Sequence, residues 1–268
     1  MSDIIFQAVA LDLDGTLLNN HKLIDNQTVD YIKRLNSSGI NIHLVSGRHF
    51  CEISEYINIL QLSSRSIIIC CDGEYICDIT GKILWNSNKL VKNDIILIEK
   101  TLCNAPYLVV GYSINYTVIP SLVARLKQHL ISILSKFKLA QVYTSATKLS
   151  EDLIFEKVIY VGRVLNVSSV QFLKSKFTYH DLEEGRLEIL PLGVHKYSAL
   201  LKAEEMNFLT IESTLYFGND NNDLECFENM PYCIAMGDAP SHLKNLAYGI
   251  TSTCNEQGVY EKLNEIFG

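Results

Sequence analysis

Apolar residues fall along the first half of the chain in a repeating order of strand and helix. The run from Ile4 to Leu13 is broken only by Gln7 and Asp12, the pattern of a strand buried on both faces. Asp25 to Leu35 carries Val29, Ile32 and Leu35 at helical spacing, and Ser38-Gly39 stops it. Ile40–Val45 then predicts a second strand, His49–Leu60 a second helix and Ser66–Cys71 a third strand. Strands separated by single helices imply parallel pairing with right-handed crossovers, hence an α/β fold with a doubly wound sheet. Ligands of such sheets sit beyond the carboxyl ends of the strands.

The rhythm changes near Asn86. Strand-like pieces at Tyr107–Ile114 and Phe155–Val164 surround a helix expected from Ser121, with Leu122, Leu126, Leu130, Ile133, Leu134 and Phe137 on its apolar side. A helix near Ser168 and a strand at Leu187–Leu190 complete an α+β insertion. The expected domains are therefore 1–85 with 191–268, and 86–190. Gly185, Pro191 and Gly193 bracket the return, as hinges or as ordinary loop residues. Beyond it, Lys196 to Met206 predicts a helix, Thr214–Gly218 a strand, and Tyr232–Met236 and Tyr248–Thr251 the last two strands. Helices are expected at Ala239–Leu246 and Glu256–Phe267.

Composition narrows the class. A 48% hydrophobic share over 268 residues supplies a sizeable core. The longest apolar runs fall short of the roughly 18 residues that span a bilayer, and Asp3 with no basic leader gives no secretory signal. Eight cysteines without a Cys-x-x-Cys pair argue against zinc and against a disulfide framework, and are expected to be small buried hydrophobes in a reducing cytoplasm. A net charge of −7 disfavours nucleic acid and anionic membrane as partners. Residues 84–190 carry +4 and the remainder −11, so the insertion is basic, either as a solvated helix face at Lys127, Lys136 and Lys138 or as a surface for anionic ligands.

Chemistry concentrates where the strands end. Asp12 and Asp14 stand at the exit of a core strand, and ionised groups leave water only when paired or bound to a metal. Gly15 permits a sharp turn and Thr16 adds a hydroxyl beside it. Ser46-Gly47-Arg48 closes the second strand, where a serine also serves as a helix N-cap. Asp72-Gly73 reads as a hairpin turn. Lys196 opens a helix, against the macrodipole, and needs compensation. Asn219-Asp220-Asn221-Asn222-Asp223 follows a strand; a calcium loop is excluded because Leu224 and Met230 fall where glycine and the final acid belong.

Asp12-Leu-Asp14-Gly15-Thr16 resembles the first motif of the haloacid dehalogenase superfamily. Ser46 resembles its second motif. Pro191-x-Gly193-Val194-x-Lys196 resembles the lysine segment of the Cof-type branch, although Tyr197 stands where a glycine often follows. Gly218 with Asn222 and Asp223 resembles the fourth motif, except that Asn219 replaces the usual first acid; Asp72-Gly73 likewise replaces the usual Asn-Gly. The resemblance implies a Rossmann-like core with an inserted cap that sets substrate specificity, and a Mg²⁺-dependent phosphatase acting on small phosphorylated metabolites, sugar phosphates first. It implies Asp12 as nucleophile, Asp14 as general acid and base, and Ser46, Gly47, Thr16 and Lys196 on the phosphate. Asp12, Asp14, Asp223 and either Asn219 or Asp220 are implied around the metal. A phosphomutase of the same fold and a non-catalytic phospho-ligand binder remain alternatives; a dehydrogenase and a kinase lack their glycine-rich loops. Oligomeric state is not readable.

Overall fold

The computed structural model describes residues 5–102, 108–111, 117–118, 142–143, 147, 149–151, 154–161, 165–182 and 186–268. The helix expected from Ser121, the lysines Lys127, Lys136 and Lys138, Cys103 and Gly185 lie outside them. The chain packs as two compact units, one of residues up to Ser87 together with His195–Gly268, the other Asn88–Val194.

The first unit begins β1 (Ala8–Asp12), α1 (Asn26–Ser37), β2 (Asn41–Val45), α2 (Phe50–Leu60), β3 (Ile67–Cys70), β4 (Tyr75–Asp78) and β5 (Ile83–Asn86). The second contains β6 (Leu90–Val91), α3 (Lys92–Leu102), β7 (Leu108–Gly111), β8 (Thr117–Val118), β9 (Val142–Tyr143), β10 (Ile154–Phe155), β11 (Val158–Val161), α4 (Val167–Lys174), β12 (Phe177–Leu182) and β13 (Arg186–Pro191). The chain returns to the first unit through α5 (Lys196–Glu205), β14 (Thr214–Gly218), α6 (Leu224–Asn229), β15 (Cys233–Ala235), α7 (Ser241–Leu246), β16 (Gly249–Ile250) and α8 (Gly258–Phe267).

The eight-stranded sheet has the order β16-β15-β14-β1-β2-β3-β4-β5. Pairing is parallel from β16 to β3 and antiparallel for β4 and β5, the hairpin that Asp72-Gly73 and Thr80-Gly81 predict. β1 is buried along its whole length because helices cover both faces. Val9 and Leu11 face α1, α2 and α8, whereas Ala8 and Ala10 face Ala199, Leu200 and Ala203 of α5. Small residues on both sides of that contact bring α5 close to the sheet, and its first residue reaches the strand ends.

The second unit holds a six-stranded sheet of order β12-β13-β11-β7-β8-β9 and a two-stranded one of β10 and β6, with α3 and α4 packed around Leu90, Phe155, Val158, Tyr160, Leu187 and Ile189. The strand β12 and the helix α3 carry no signal strong enough to have been expected from sequence. Among the described residues, no helix is long and apolar enough to cross a membrane. Six of the seven described cysteines are buried and all seven are free; Cys51 is exposed.

Candidate active site

β1 lies between β2 and β14, with Asp12 opposite Val45 and Leu11 opposite Phe217. That register brings the exits of three strands together: Asp12-Leu13-Asp14 after β1, Ser46-Gly47-Arg48 after β2, and the 219–223 loop after β14. Gly15 turns the chain with φ of +80°, and a side chain there would collide with the Asn219 amide.

Lys196 is the centre of the group. It is fully buried, and its Nζ donates to Asp12 Oδ1 at 2.7 Å and to Asp223 Oδ1 at 2.6 Å. These carboxylates are the compensation that a cation in the first turn of α5 requires. Burial alone would lower Lys196, but Asp12, Asp223 and Asp72 outweigh it and hold the ammonium well above its ordinary range. Burial pushes Asp12 up to about 7; Lys196 opposes the rise, and Asp223 and Asp14 add to it.

Asp14 has the opposite surroundings. Its side chain is 41% exposed and is gripped by Arg48 through Nε and a terminal nitrogen, both at 2.6 Å, and by Lys22 Nζ at 2.7 Å. Burial acts against ionisation, but the bonds from Arg48 and Lys22 prevail and hold the carboxyl below its ordinary range. Arg48 thus has a definite task, orienting Asp14. Lys22 has no motif signal: it meets Asp14 from a turn with φ of 60°, its own carbonyl accepting from the Tyr56 hydroxyl at 3.0 Å.

The 219–223 loop divides the expected metal ligands. Asp223 is fully buried and accepts four bonds: Oδ1 from Lys196 and the Tyr216 hydroxyl (2.6 Å), Oδ2 from the backbone N–H groups of Asn219 (2.8 Å) and Asp220 (3.1 Å). A carboxylate with four donors in place anchors the loop and the lysine. Asp220 Oδ1 accepts from Asn221 N at 2.7 Å and caps the short turn that follows. Asn219 instead faces the β1 exit. The outer atom of its amide lies 3.0 Å from the Asp14 carbonyl oxygen and 3.2 Å from both Asp12 Oδ2 and Thr16 Oγ1.

Three residues expected on the phosphate are engaged differently. The Thr16 hydroxyl, 1% exposed, is turned to Asn219. Gly47 admits a neighbour, since a Cβ there would sit 2.9 Å from Asp72 Oδ2. Ser46 Oγ accepts from Arg48 N at 3.2 Å, the capping bond, and its own proton remains a donor for an anion. Asp72, read from sequence as a turn residue, is fully buried with φ of 56°; its N–H donates to the Ser46 carbonyl at 3.0 Å and its Oδ1 accepts from Asn222 Nδ2 at 2.9 Å. Tyr216 was also missed, although a hydroxyl inside a strand buried on both faces is a signal that it has a polar partner.

The site fits a small hard cation. Hydrogen bonding turns the Asn219 NH2 group toward β1, where it donates to the Asp14 carbonyl at 3.0 Å and to Asp12 Oδ2 and Thr16 Oγ1 at 3.2 Å; with the amide rotated for a cation, its Oδ1 takes that place and three oxygens converge, the amide, Asp12 Oδ2 and the Asp14 carbonyl. Octahedral oxygen ligands at about 2.1 Å from Mg²⁺ stand about 3 Å apart. Three buried carboxylates, Asp12, Asp72 and Asp223, also face one buried ammonium, Lys196, an excess of negative charge that a cation offsets. Among the described residues no group of three or more His, Cys, Asp or Glu is arranged around a metal position, so this set depends on a backbone carbonyl and an amide.

The sequence profile of haloacid dehalogenase-like hydrolases matches residues 9–263. Two relatives are each 24% identical: 5-amino-6-(5-phospho-D-ribitylamino)uracil phosphatase YcsE of Bacillus subtilis, covering 96% of this chain and 94% of its own, and pyridoxal phosphate phosphatase YbhA of Escherichia coli, covering 92% and 94%. A solved haloacid dehalogenase-like hydrolase from Bacteroides thetaiotaomicron superposes with a TM-score of 0.76 at 24% identity, over 98% of this chain and 100% of that one. Spanning both units of the fold and every strand end described above, the match to the family profile makes this chain a member of the haloacid dehalogenase-like hydrolase family.

Proposed function

We propose that this hydrolase is a Mg²⁺-dependent phosphatase of small phosphate monoesters that works through an aspartyl-phosphate on Asp12. The observation that carries this reading is the buried Lys196 Nζ, 2.7 Å from Asp12 Oδ1 and 2.6 Å from Asp223 Oδ1. An ammonium so placed fixes the Asp12 carboxylate in one orientation and leaves its other oxygen toward Asn219 and the Asp14 carbonyl. Mg²⁺ at Asp12 Oδ2, the Asp14 carbonyl and Asn219 would offset the repulsion between a carboxylate and a phosphate dianion.

Asp12 attacks phosphorus in line, and Ser46 and Lys196 donate to the phosphoryl oxygens. Asp14 protonates the departing alkoxide and then, ionised, activates the water that hydrolyses the aspartyl-phosphate. In the arrangement described, Arg48 and Lys22 hold Asp14 ionised, the state for the second step. For the first it exchanges one of these partners for a proton. Uncatalysed hydrolysis of phosphate monoesters is slow enough that accelerations approach ~10²¹, so nucleophile, acid and cations are all required.

The inserted unit, which shares no residue with the chemistry at Asp12, is the proposed source of substrate choice. Sugar phosphates are the proposed class. Both named relatives act on a phosphate ester of a small ring-bearing metabolite, which supports a substrate of that size. The test is phosphate release from p-nitrophenyl phosphate and a panel of sugar phosphates, nucleotides and pyridoxal phosphate, with Mg²⁺ and with EDTA. Asp12→Asn is expected to lower turnover by about 10⁴-fold or more. Full turnover in that variant overturns the mechanism.

A further inference from the structure

The residue that faces the β1 exit from the 219–223 loop is an amide, while a carboxylate lies two strands away. Asn219 contributes an oxygen without formal charge. The donors that converge with it, Asp12 Oδ2 and the Asp14 carbonyl, bring a single carboxylate, and Asp12 already shares its charge with Lys196 through Oδ1 at 2.7 Å. Oxygen donors with so little charge bind a divalent ion weakly, because affinity in such sites follows the charge of the ligands.

Asp72 stands at the end of β3. With β2 between, its backbone lies roughly 9–10 Å from the β1 exit, and among the described residues its carboxylate joins no cluster of three acids around a metal position. It is nevertheless tied to the site from both sides. Gly47 leaves room for its carboxylate, its N–H donates to the Ser46 carbonyl at 3.0 Å, and its Oδ1 accepts at 2.9 Å from Asn222, three residues after Asn219. The turn that carries it, Cys71-Asp72-Gly73, has φ of 50°, 56° and 104°, a left-handed path that two residues with side chains adopt at some cost. A fully buried carboxylate in low dielectric acts over such a distance, and it contributes to holding Lys196 charged.

We propose that Asp72 is the charge partner of Asn219: without touching the ion, it supplies the negative charge that the amide ligand lacks, and so sets the affinity of the site for Mg²⁺. This rests on the metal reading above.

The experiment is calorimetric titration of Mg²⁺ into the substrate-free, EDTA-stripped full chain. Asp72→Asn keeps the size, an acceptor for Asn222 and tolerance of a left-handed φ. It is expected to weaken Mg²⁺ by ~10-fold, about 1.4 kcal/mol. Asn219→Asp is expected to tighten it by about as much, and the double variant to return within about 3-fold of the parent. Asp30→Asn removes the same charge from an exposed position of α1 and is expected to change nothing. If Asp72→Asn fails to fold by circular dichroism, Asp72→Gly removes the same charge with no conflict at φ of 56° and carries the same expectation. Unchanged affinity on loss of Asp72, or equal weakening by Asp30→Asn, overturns the charge-partner assignment and leaves the metal reading intact. No Mg²⁺ binding by the parent or any variant overturns both.

Discussion

Two lysines hold a carboxylate at 2.7 Å in this protein, and they do opposite kinds of work. Lys196 pairs with Asp12 at 0% exposure, among three buried acids; Lys22 pairs with Asp14 at 57% exposure, beside the guanidinium of Arg48. The bond lengths match, so the surroundings make the difference. Inside, burial drives Asp12 upward against its lysine, whereas at the rim the cations win and hold Asp14 low. Two aspartates two residues apart on one strand exit are thus shifted in opposite directions by burial and partners alone.

The comparison can be broken most directly at Lys196. Lys196→Met leaves Asp12 and Asp223 buried without their cation and is expected to cost about 3–5 kcal/mol in urea unfolding with EDTA present. A stability equal to the parent's would mean that the inner pair is no different from a surface pair. His43 sharpens the point, being a fully buried base on β2 with only the Phe208 backbone to counter burial, which pushes it down to about 4. Its ordinary value is 6.5, so between 6.5 and 4 the unfolded chain binds a proton that the folded one refuses. That contribution to stability is full above pH 6.5 and shrinks as pH falls. From pH 7 to pH 4 it amounts to about 3 kcal/mol. His43→Leu should lose that much less than the parent over the same interval, and identical losses would exclude His43 as the cause.

Smaller effects test the outer members. Tyr216→Phe removes one hydrogen bond to Asp223 Oδ1 and is expected to lower kcat about 5-fold, the equivalent of about 1 kcal/mol, with KM for p-nitrophenyl phosphate little changed. A change in KM alone would place Tyr216 in binding instead of alignment. Lys22→Met should alter stability by less than about 1 kcal/mol, because an exposed pair is screened and Arg48 remains on Asp14. A loss comparable to that of Lys196→Met would erase the distinction between the two lysines.

The sheet was legible because its signal is local. Apolar runs ending in Asp12, Ser46 and Gly218 mark strands and their carboxyl ends without reference to anything distant. α5 was legible too, and with it the position of Lys196; its contact with Asp12, 184 residues away in sequence, was implied by the family resemblance alone, and its contact with Asp223 was not foreseen. The division of labour in the 219–223 loop depended on which way each side chain turns after a strand, which spacing does not encode. Asp72 was hidden for a related reason. Asp-Gly satisfies a hairpin so well that a second role leaves no mark on the pattern, and Gly47 packed against it and the bond from Asn222 disclose the carboxylate's direction. Lys22 could not be found from sequence at all, since any polar residue suits an exposed turn.

The interruption of the first unit by the second has a consequence for synthesis. β1 is the centre of the sheet, yet its neighbour β14 is encoded roughly 200 residues later. At about 5–20 residues per second, one flank of β1 waits on the order of 10–40 s on the ribosome before its partner exists. During that interval an apolar strand presents unpaired N–H and C=O groups, the usual template for misassociation. The arrangement that brings Asp12 and Lys196 together from distant parts of the chain therefore leaves one edge of the central strand open until most of the protein has been made.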